Sequence, residues 1–297
     1  MGSGLDERVA AALAHYGVRP VSWTRITLPR PAVDPRAVYR LVLDDGRTVK
    51  ARRCRTEREA RQLWEIRRHL ALDGFARVHA QHGAVLVEEW IEGAPLPDRE
   101  AASPPVVEAA RLLAQLHRVA SLGAMGAGGA ALTATWRAEA ERNLALVAEA
   151  ERALARGRGW QPLSPERTRA LADAVHRLDP LPAATGLIHR DFCAENMVRG
   201  CDGRLWVIDN EWLMVGPLGY DLARVWYRWP MPGAAWALFL DTYAACRGQP
   251  VADAPLMFWK IAAVARSAVF RVAADPGGLE VPLARLHELS DALPATG

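Results

Sequence analysis

The stretch that most constrains this chain is Leu187–Glu211, in which two short apolar runs flank an Asp-Gly turn signal. An Asp-Gly pair between apolar segments is typical of the turn of a β-hairpin. The first arm of this hairpin follows His189, Asp191 and Asn196, and the second arm ends at Asp209. The sequence therefore predicts that several polar side chains gather at the open end of one hairpin.

Composition narrows the class of protein. The chain has 297 residues, of which 51% are hydrophobic and 24% charged, as in a globular protein of one large or two modest domains. A net charge of +3 is too small to indicate a nucleic-acid partner. Because no apolar run reaches the length of a membrane span, we expect no membrane partner and a cytoplasmic location. We expect a monomer or a homodimer.

Lysine is scarce in this sequence. Of 37 basic residues only Lys50 and Lys260 are lysine, so a retained lysine indicates a specific need for a compact charge. Strand-like segments at Val38–Leu43 and Thr48–Arg52 are separated by a second Asp-Gly turn signal, which places Lys50 inside a third strand after Val21–Leu28. The alternative interpretation is an ordinary solvated strand lysine.

The hairpin motif resembles a known catalytic loop. His189, Asp191 and Asn196 form the pattern H-x-D-x-x-x-x-N, and a strand ending in Asp209 follows, as in kinase-fold phosphotransferases. The resemblance implies that Asp191 is the catalytic base and that Asn196 and Asp209 hold Mg²⁺, which prefers oxygen ligands. His189 is expected to brace the loop.

The same resemblance gives Lys50 the role of binding the phosphates of a nucleotide. In the segment from Thr56 to Leu70, Glu59 lies at the head of a helical apolar stripe, which favours it as the partner that orients Lys50. A second interpretation stays open, because Thr56-x-x-Glu59 is also a capping box that would turn the glutamate toward the helix start.

The stretch EEWIEGAPL, residues 88–96, resembles the linker between the lobes of aminoglycoside phosphotransferase-like kinases. The resemblance implies that the backbone of Glu89, Trp90 and Ile91 bonds the base of the nucleotide. It also divides the chain into an N-terminal nucleotide-binding lobe, residues 1–90, and a helical lobe with the catalytic loop and acceptor site, residues 91–297.

The segment after the hairpin carries two further candidates. Only a dozen residues separate Asp209 from Asp221, too few for a phosphorylatable activation loop, which argues against a protein kinase. Asp221 is either a brace for the catalytic loop or a helix cap, and Glu211 could add a contact to the metal. The loop Leu28–Ala37 departs from the family pattern, since it contains three prolines and no glycine.

These observations predict an α+β, two-lobed, protein-kinase-like fold with a small antiparallel sheet in the first lobe. The chain resembles the aminoglycoside phosphotransferase and choline kinase-like family. This implies transfer of the γ-phosphoryl group of ATP, or of GTP, to a hydroxyl of a small-molecule acceptor with Mg²⁺ as cofactor. The alternative is a nucleotide-binding pseudokinase that acts by interaction.

Acids and bases are balanced from Trp212 onward, which favours an acceptor less basic than an aminoglycoside.

Overall fold

The computed structural model describes residues 4–27, 36–68, 70, 72–97, 103–119, 129–154, 163–178, 185–274 and 276–294. The chain divides into two compact units, one made of Met1–Leu96 with Asn196–Leu213 and the other of Pro97–Glu195 with Met214–Gly297. The proline-rich part of the predicted loop Leu28–Ala37, residues 28–35, lies outside the described residues, so its contact with phosphates stays a prediction.

The strands follow one another along the chain as β1 (Pro20–Arg25), β2 (Ala37–Leu43), β3 (Thr48–Arg53), β4 (Val78–His82), β5 (Val85–Glu89), β6 (Gly93–Pro95), β7 (Thr185–Ile188), β8 (Met197–Gly200), β9 (Leu205–Val207) and β10 (Met214–Pro217). The α-helices are α1 (Glu7–His15), α2 (Glu57–Arg67), α3 (Ser103–His117), α4 (Gly129–Leu154), α5 (Pro165–Arg177), α6 (Leu218–Arg228), α7 (Gly233–Arg247), α8 (Asp253–Ala274) and α9 (Glu280–Asp291). Within the described part of the chain, none of these helices combines the length and the apolar character needed to cross a bilayer.

The first unit is built on an antiparallel sheet with the strand order β1-β2-β3-β5-β4. The turn between β2 and β3 forms where the sequence predicts it, with Gly46 at φ +83° and its N–H donating to the carbonyl of Leu43 at 3.0 Å. One face of the sheet packs on α1 through a core that includes Leu13, Leu41 and Val87. The predicted small antiparallel sheet is confirmed.

The predicted hairpin also forms, as strands β8 and β9 with Gly203 in the turn at φ +77°. It does not stand alone, because β6 pairs with β8 and Phe75 bridges to Val207. These pairings attach the hairpin to the first unit. The predicted division of the chain between residues 90 and 91 stays a prediction. The boundary between the two compact units falls after Leu96, and residues 196–213 belong to the first unit.

The second unit is mainly helical. Its core includes Trp136, Tyr220, Phe258 and Trp259, whose rings contact one another at centroid distances from 4.7 to 6.5 Å. Strands β7 and β10 pair in antiparallel register, so the end of β7 and the start of β10 lie side by side. This pairing places the loop after β7 beside the segment that leads through β10 into α6.

The β6–β8 pairing generates a stability prediction. A Cβ on Gly93 would lie 2.1 Å from the carbonyl oxygen of Arg199, so the backbone would have to move. We expect Gly93→Ala to lower the free energy of unfolding by about 1–3 kcal/mol, measured by denaturant or thermal unfolding. Gly233→Ala is the control, because a Cβ there meets nothing within 4 Å. Equal unfolding curves for the two variants would contradict the pairing.

Candidate active site

Lys50 and Asp209 meet in the first unit although 159 residues separate them in the sequence. The Lys50 Nζ lies 3.3 Å from Asp209 Oδ1 and 3.9 Å from Oε2 of Glu88, the residue paired with Lys50 across the β3–β5 ladder. Burial, and after it the charge of Arg52, lower the pKa of the Lys50 ammonium, while the two carboxylates act in the opposite direction. The retained lysine therefore lies beside the predicted metal ligand.

Arg52 is a site residue that the sequence analysis missed. It follows Lys50 by two positions on β3, so both side chains leave the same face of the sheet. The Arg52 guanidinium bonds the carboxylates of Glu88, Asp209 and Glu211, the first at 3.2 Å. Burial alone would lower the pKa of Arg52, but these carboxylates hold it above its ordinary value. The two-residue spacing of Lys50 and Arg52 on a predicted strand was the sequence signal that could have identified Arg52 as a site residue.

The expected ion pair between Lys50 and Glu59 is not formed. The carboxylate of Glu59 accepts the backbone N–H of Arg55 at 3.0 Å, and the Glu59 N–H donates to Thr56 Oγ1 at 3.1 Å. This is the capping alternative, since the start of α2 has backbone N–H groups that the glutamate and threonine satisfy locally. The glutamate beside Lys50 is Glu88, which faces it directly across the sheet.

Glu88 is the anionic centre of this cluster. It is 1% exposed, and Arg67 Nη1 lies 2.9 Å from its carboxylate as an ion pair, in addition to the contacts from β3. Burial alone would raise the pKa of Glu88, but Arg67, Lys50 and Arg52 lower it far below its ordinary value. A buried carboxylate with three cationic partners stays ionised and fixes the side chains of β3.

The open end of the hairpin brings together the two predicted metal ligands. The Ile208 N–H donates to the carbonyl of Asn196 at 2.9 Å, and this last rung sets Asn196 beside the strand end that carries Asp209. Asp209 has a left-handed backbone at φ +62°, and its side chain is 42% exposed. Burial alone would raise the pKa of Asp209, but Arg52 and Lys50 lower it.

An amide oxygen and an ionised, accessible carboxylate are a donor set that suits Mg²⁺. This ion usually takes only one or two protein carboxylates and completes its shell with water and phosphate oxygens. Among the described residues, no three His, Cys, Asp or Glu side chains cluster as a complete metal site. Asn196 and Asp209 therefore fit a shared metal site of the kind that a nucleotide completes.

Asp191 lies in the second unit, in the loop after β7. Asp221 of α6 accepts the backbone N–H groups of His189 and Arg190 at 2.6 and 2.7 Å. Asp221 is thus a brace for the loop, and its side chain does not cap α6. It holds Arg190 in a left-handed conformation at φ +69°. His189 is fully buried, and its Nδ1 accepts the N–H of Asp191 at 3.3 Å, which is the bracing role expected for it.

The brace continues into the helical core. His117 Nε2 lies 3.2 Å from Asp221 Oδ2, and His117 Nδ1 lies 2.7 Å from the hydroxyl of Tyr243. Burial lowers the pKa of His117, while the hydrogen bond and the charge of Asp221 act in the opposite direction. Helices α3, α6 and α7 therefore fix the catalytic loop through one chain of buried polar groups.

Two arginines of α6 contact the carboxylate of Asp191. Arg224 Nη2 lies 2.5 Å and Arg228 Nη1 lies 3.6 Å from Asp191 Oδ1. Burial alone would raise the pKa of Asp191, but Arg224 and Arg228 lower it below its ordinary value. The carboxylate is held ionised and in a fixed orientation, as a residue that orients a hydroxyl group requires.

The predicted base-binding segment follows the end of β5. The N–H of Glu89 donates to the carbonyl of Arg77 at 2.8 Å, so this donor is already used within the sheet. The ring of Trp90 lies 5.2 Å from the guanidinium of Arg40. Ile91 is half-buried. Nucleotide binding by these residues stays a prediction. Because the N–H of Glu89 is already bonded, Trp90 and Ile91 are better candidates than Glu89 for bonding the base through their backbone.

The first unit has a cation on its third strand beside a carboxylate at the end of a hairpin, and the second unit has a braced loop that carries an aspartate. These are the parts expected of a phosphotransferase with a protein-kinase-like fold. The family comparison agrees with this class. The model of the phosphotransferase enzyme family APH matches residues 27–258, so the chain belongs to this family. No curated protein matches the chain in a sequence comparison.

Solved structures share the fold at low sequence identity. A putative aminoglycoside phosphotransferase from Ralstonia eutropha JMP134 is 16% identical, with 96% of this chain and 95% of that chain covered and a TM-score of 0.66. Macrolide 2′-phosphotransferase MphH from Brachybacterium faecium is 18% identical, with coverages of 95% and 98% and a TM-score of 0.63. Choline kinase LicA from Streptococcus pneumoniae is 15% identical, with coverages of 93% and 95% and a TM-score of 0.65.

The loop brace yields a prediction that separates it from a helix cap. Asp221→Ala leaves two backbone N–H groups and His117 without their acceptor, so we expect a loss of about 2–5 kcal/mol in the free energy of unfolding. Asp221→Asn keeps one acceptor oxygen and should cost less. Chemical denaturation of the three proteins checks the order. A loss below about 1 kcal/mol for Asp221→Ala would argue against the brace.

Proposed function

We propose that this protein transfers the γ-phosphoryl group of ATP to a hydroxyl of a small molecule, with Mg²⁺ as cofactor. The observation that carries the proposal is the 3.3 Å contact between Lys50 Nζ and Asp209 Oδ1, which joins in one unit the cation proposed to bind phosphate and the carboxylate proposed to bind the metal. Membership of the phosphotransferase family supports it. One solved structure of LicA is a complex with AMP, which supports an adenine nucleotide, and GTP is the second candidate.

Each site residue of the first unit then has a distinct role in the proposed reaction. Lys50 and Arg52 bind the phosphates, because both present positive charge on one face of β3. Asn196 and Asp209 would hold Mg²⁺, and the ion would supply positive charge to neutralise the phosphates. Glu211 is positioned by Arg52 as an additional acidic group near the metal. Residues Trp90 and Ile91 supply backbone groups for the base.

Asp191 is the base in the proposed reaction. It accepts a hydrogen bond from the acceptor hydroxyl and takes its proton as the oxygen attacks the γ-phosphorus. The bond from that phosphorus to the bridging oxygen breaks, and the nucleoside diphosphate leaves. Most of the rate enhancement would come from positioning and charge stabilisation, because the transferred group needs little covalent help from the protein. Antibiotics, natural products, sugars and amino alcohols are the candidate acceptors. The proposed reaction involves neither a nucleic acid nor a membrane as partner.

Two measurements test the proposal as a whole. ATP should raise the melting temperature in the presence of Mg²⁺ and much less with EDTA, since the metal and the phosphates bind together. A panel of hydroxyl compounds assayed for release of ADP should then identify the acceptor. Metal-independent nucleotide binding without transfer to any compound would favour the pseudokinase.

The role of Asp191 predicts a separation of turnover from binding. Asp191→Asn should reduce kcat by about 10²–10⁴-fold, because the hydroxyl loses its proton acceptor. The Kd for Mg-ATP should change less than about 3-fold, since Asp191 touches neither phosphates nor metal in the proposal. Asp202→Asn removes the same charge from the hairpin turn and serves as the control, with turnover retained. Unchanged kcat in Asp191→Asn would contradict the role of the base.

The arginine contacts predict the pH dependence of turnover. The folded-state pKa of Asp191 is lowered, so the carboxylate stays ionised at pH values below the usual aspartate pKa of about 4. The acidic limb of kcat/KM due to Asp191 should therefore lie below this value. Arg224→Gln removes the larger opposing charge, so the pKa should rise and the limb should move to higher pH. Identical limbs for the two proteins would show that Arg224 does not set this pKa.

A further inference from the structure

The carboxylates of the catalytic loop are already paired with arginines of α6. Arg224 bonds Asp191, whereas Arg228 lies 3.6 Å from the Asp191 carboxylate and bonds Glu195, the exposed acid four residues further along the loop. The two arginines are four residues apart, so they project from the same face of the helix. An ammonium group that approached this loop would meet two guanidinium groups beside its carboxylates.

These positive charges are fixed in place. Arg224 is buried, and its Nε donates to the carbonyl of Arg190 at 3.1 Å while Nη2 bonds Asp191, so the guanidinium spans one peptide of the loop. Helix α6 cannot move away easily, because Asp221 bonds the same loop and Tyr227 packs into the helical core. The side chain of Arg228 is 23% exposed and is therefore the one that an incoming molecule can touch.

Two aromatic rings in this unit, those of Trp226 and Trp236, also have cations of the protein against them. Lys260 Nζ lies 4.7 Å from the ring of Trp226 and 5.8 Å from that of Trp236, and the guanidinium of Arg285 lies 5.0 Å from Trp226. Aromatic faces and carboxylates are the two kinds of group that recognise ammonium ions in proteins. In this unit, cations of the protein itself already contact both the carboxylates of the loop and these aromatic rings.

We propose that Arg228, beside an Asp191 that Arg224 holds in place, selects an acceptor whose reacting hydroxyl has no ammonium group beside it, an inference that rests on the proposed phosphotransferase function. The acceptor is a neutral or carboxylate-bearing alcohol. A cation next to the hydroxyl would find the carboxylates of Asp191 and Glu195 already paired with fixed guanidinium groups, whereas a neutral or anionic neighbour can accept a hydrogen bond from Arg228. Arg228 is the specificity-determining residue, and Arg224 is a positioning residue.

The test uses probes that differ mainly in charge. Glucosamine is paired with glucose, ethanolamine with ethylene glycol and glycolate, and choline and kanamycin are added as strongly cationic alcohols. Binding is measured by calorimetry in the presence of Mg²⁺ and a non-hydrolysable ATP analogue, and ADP release is measured with ATP. The proteins are the wild type, Arg228→Gln, Arg228→Lys and, as a charge-matched control on α2, Arg61→Gln.

We expect the wild type to discriminate against every ammonium-bearing probe. Arg228→Gln should bind or turn over these probes at least about 10-fold better, the factor that a charge interaction of about 1.4 kcal/mol gives. Arg228→Lys keeps the charge and should keep the exclusion, and Arg61→Gln should behave as the wild type. A purely structural role of Arg228 would predict that lysine and glutamine variants behave alike.

Two results would overturn the proposal. One is a wild type that binds or phosphorylates ethanolamine, choline or kanamycin as well as any neutral probe. The other is continued exclusion by Arg228→Gln, because the arginine would then not be its cause. Failure of the proposed phosphotransferase function is seen separately, as loss of metal-dependent stabilisation by ATP in the wild type. The calorimetric comparison of probes does not require turnover.

Discussion

The pairing of two cations on β3, the buried Arg52 and the largely buried Lys50, with carboxylates from distant parts of the chain organises the first unit. Burying an unpaired charge costs several kcal/mol, so Lys50 and Arg52 require acidic partners nearby. Glu88 comes from the neighbouring strand, whereas Asp209 and Glu211 come from the end of the hairpin. This requirement gives a physical reason for the hairpin to join the sheet-containing unit although about 100 residues separate them in the sequence.

The same cluster explains how a nucleotide would be accommodated on the proposed function. The cations of β3 pair with the carboxylate of Asp209. Phosphates would give Lys50 and Arg52 new anionic partners, while Mg²⁺ would take over the Asp209 carboxylate. Glu88 would remain with Arg67 and keep β3 in place. Binding would then exchange one set of ion pairs for another, so that no buried charge is left unpaired at any stage.

Motifs that depend on short-range order could be read from the sequence. The two Asp-Gly turns and the strand that carries Lys50 lie where their patterns predict them. The partner of Lys50 could not be predicted, because Glu59 satisfied both a helical stripe and a capping box. Glu59 caps the start of its own helix, and Glu88 on the neighbouring strand is the glutamate that pairs with Lys50.

The arginine pair of α6 shows a second limit of sequence reasoning. Arginine is so common in this chain that Arg224 and Arg228 carry no compositional signal, in contrast to the rare Lys50. Their role depends on β7 pairing with β10, which brings α6 to the catalytic loop. Long-range pairing of this kind leaves no local pattern.

The most direct test of the account is a crystal structure with a non-hydrolysable ATP analogue and Mn²⁺ in place of Mg²⁺, in which anomalous scattering locates the metal. We expect the metal about 2.0–2.3 Å from a carboxylate oxygen of Asp209 and the amide oxygen of Asn196, with Lys50 bonded to a phosphate. A metal and triphosphate bound elsewhere, with Lys50 still paired to Asp209, would contradict the account.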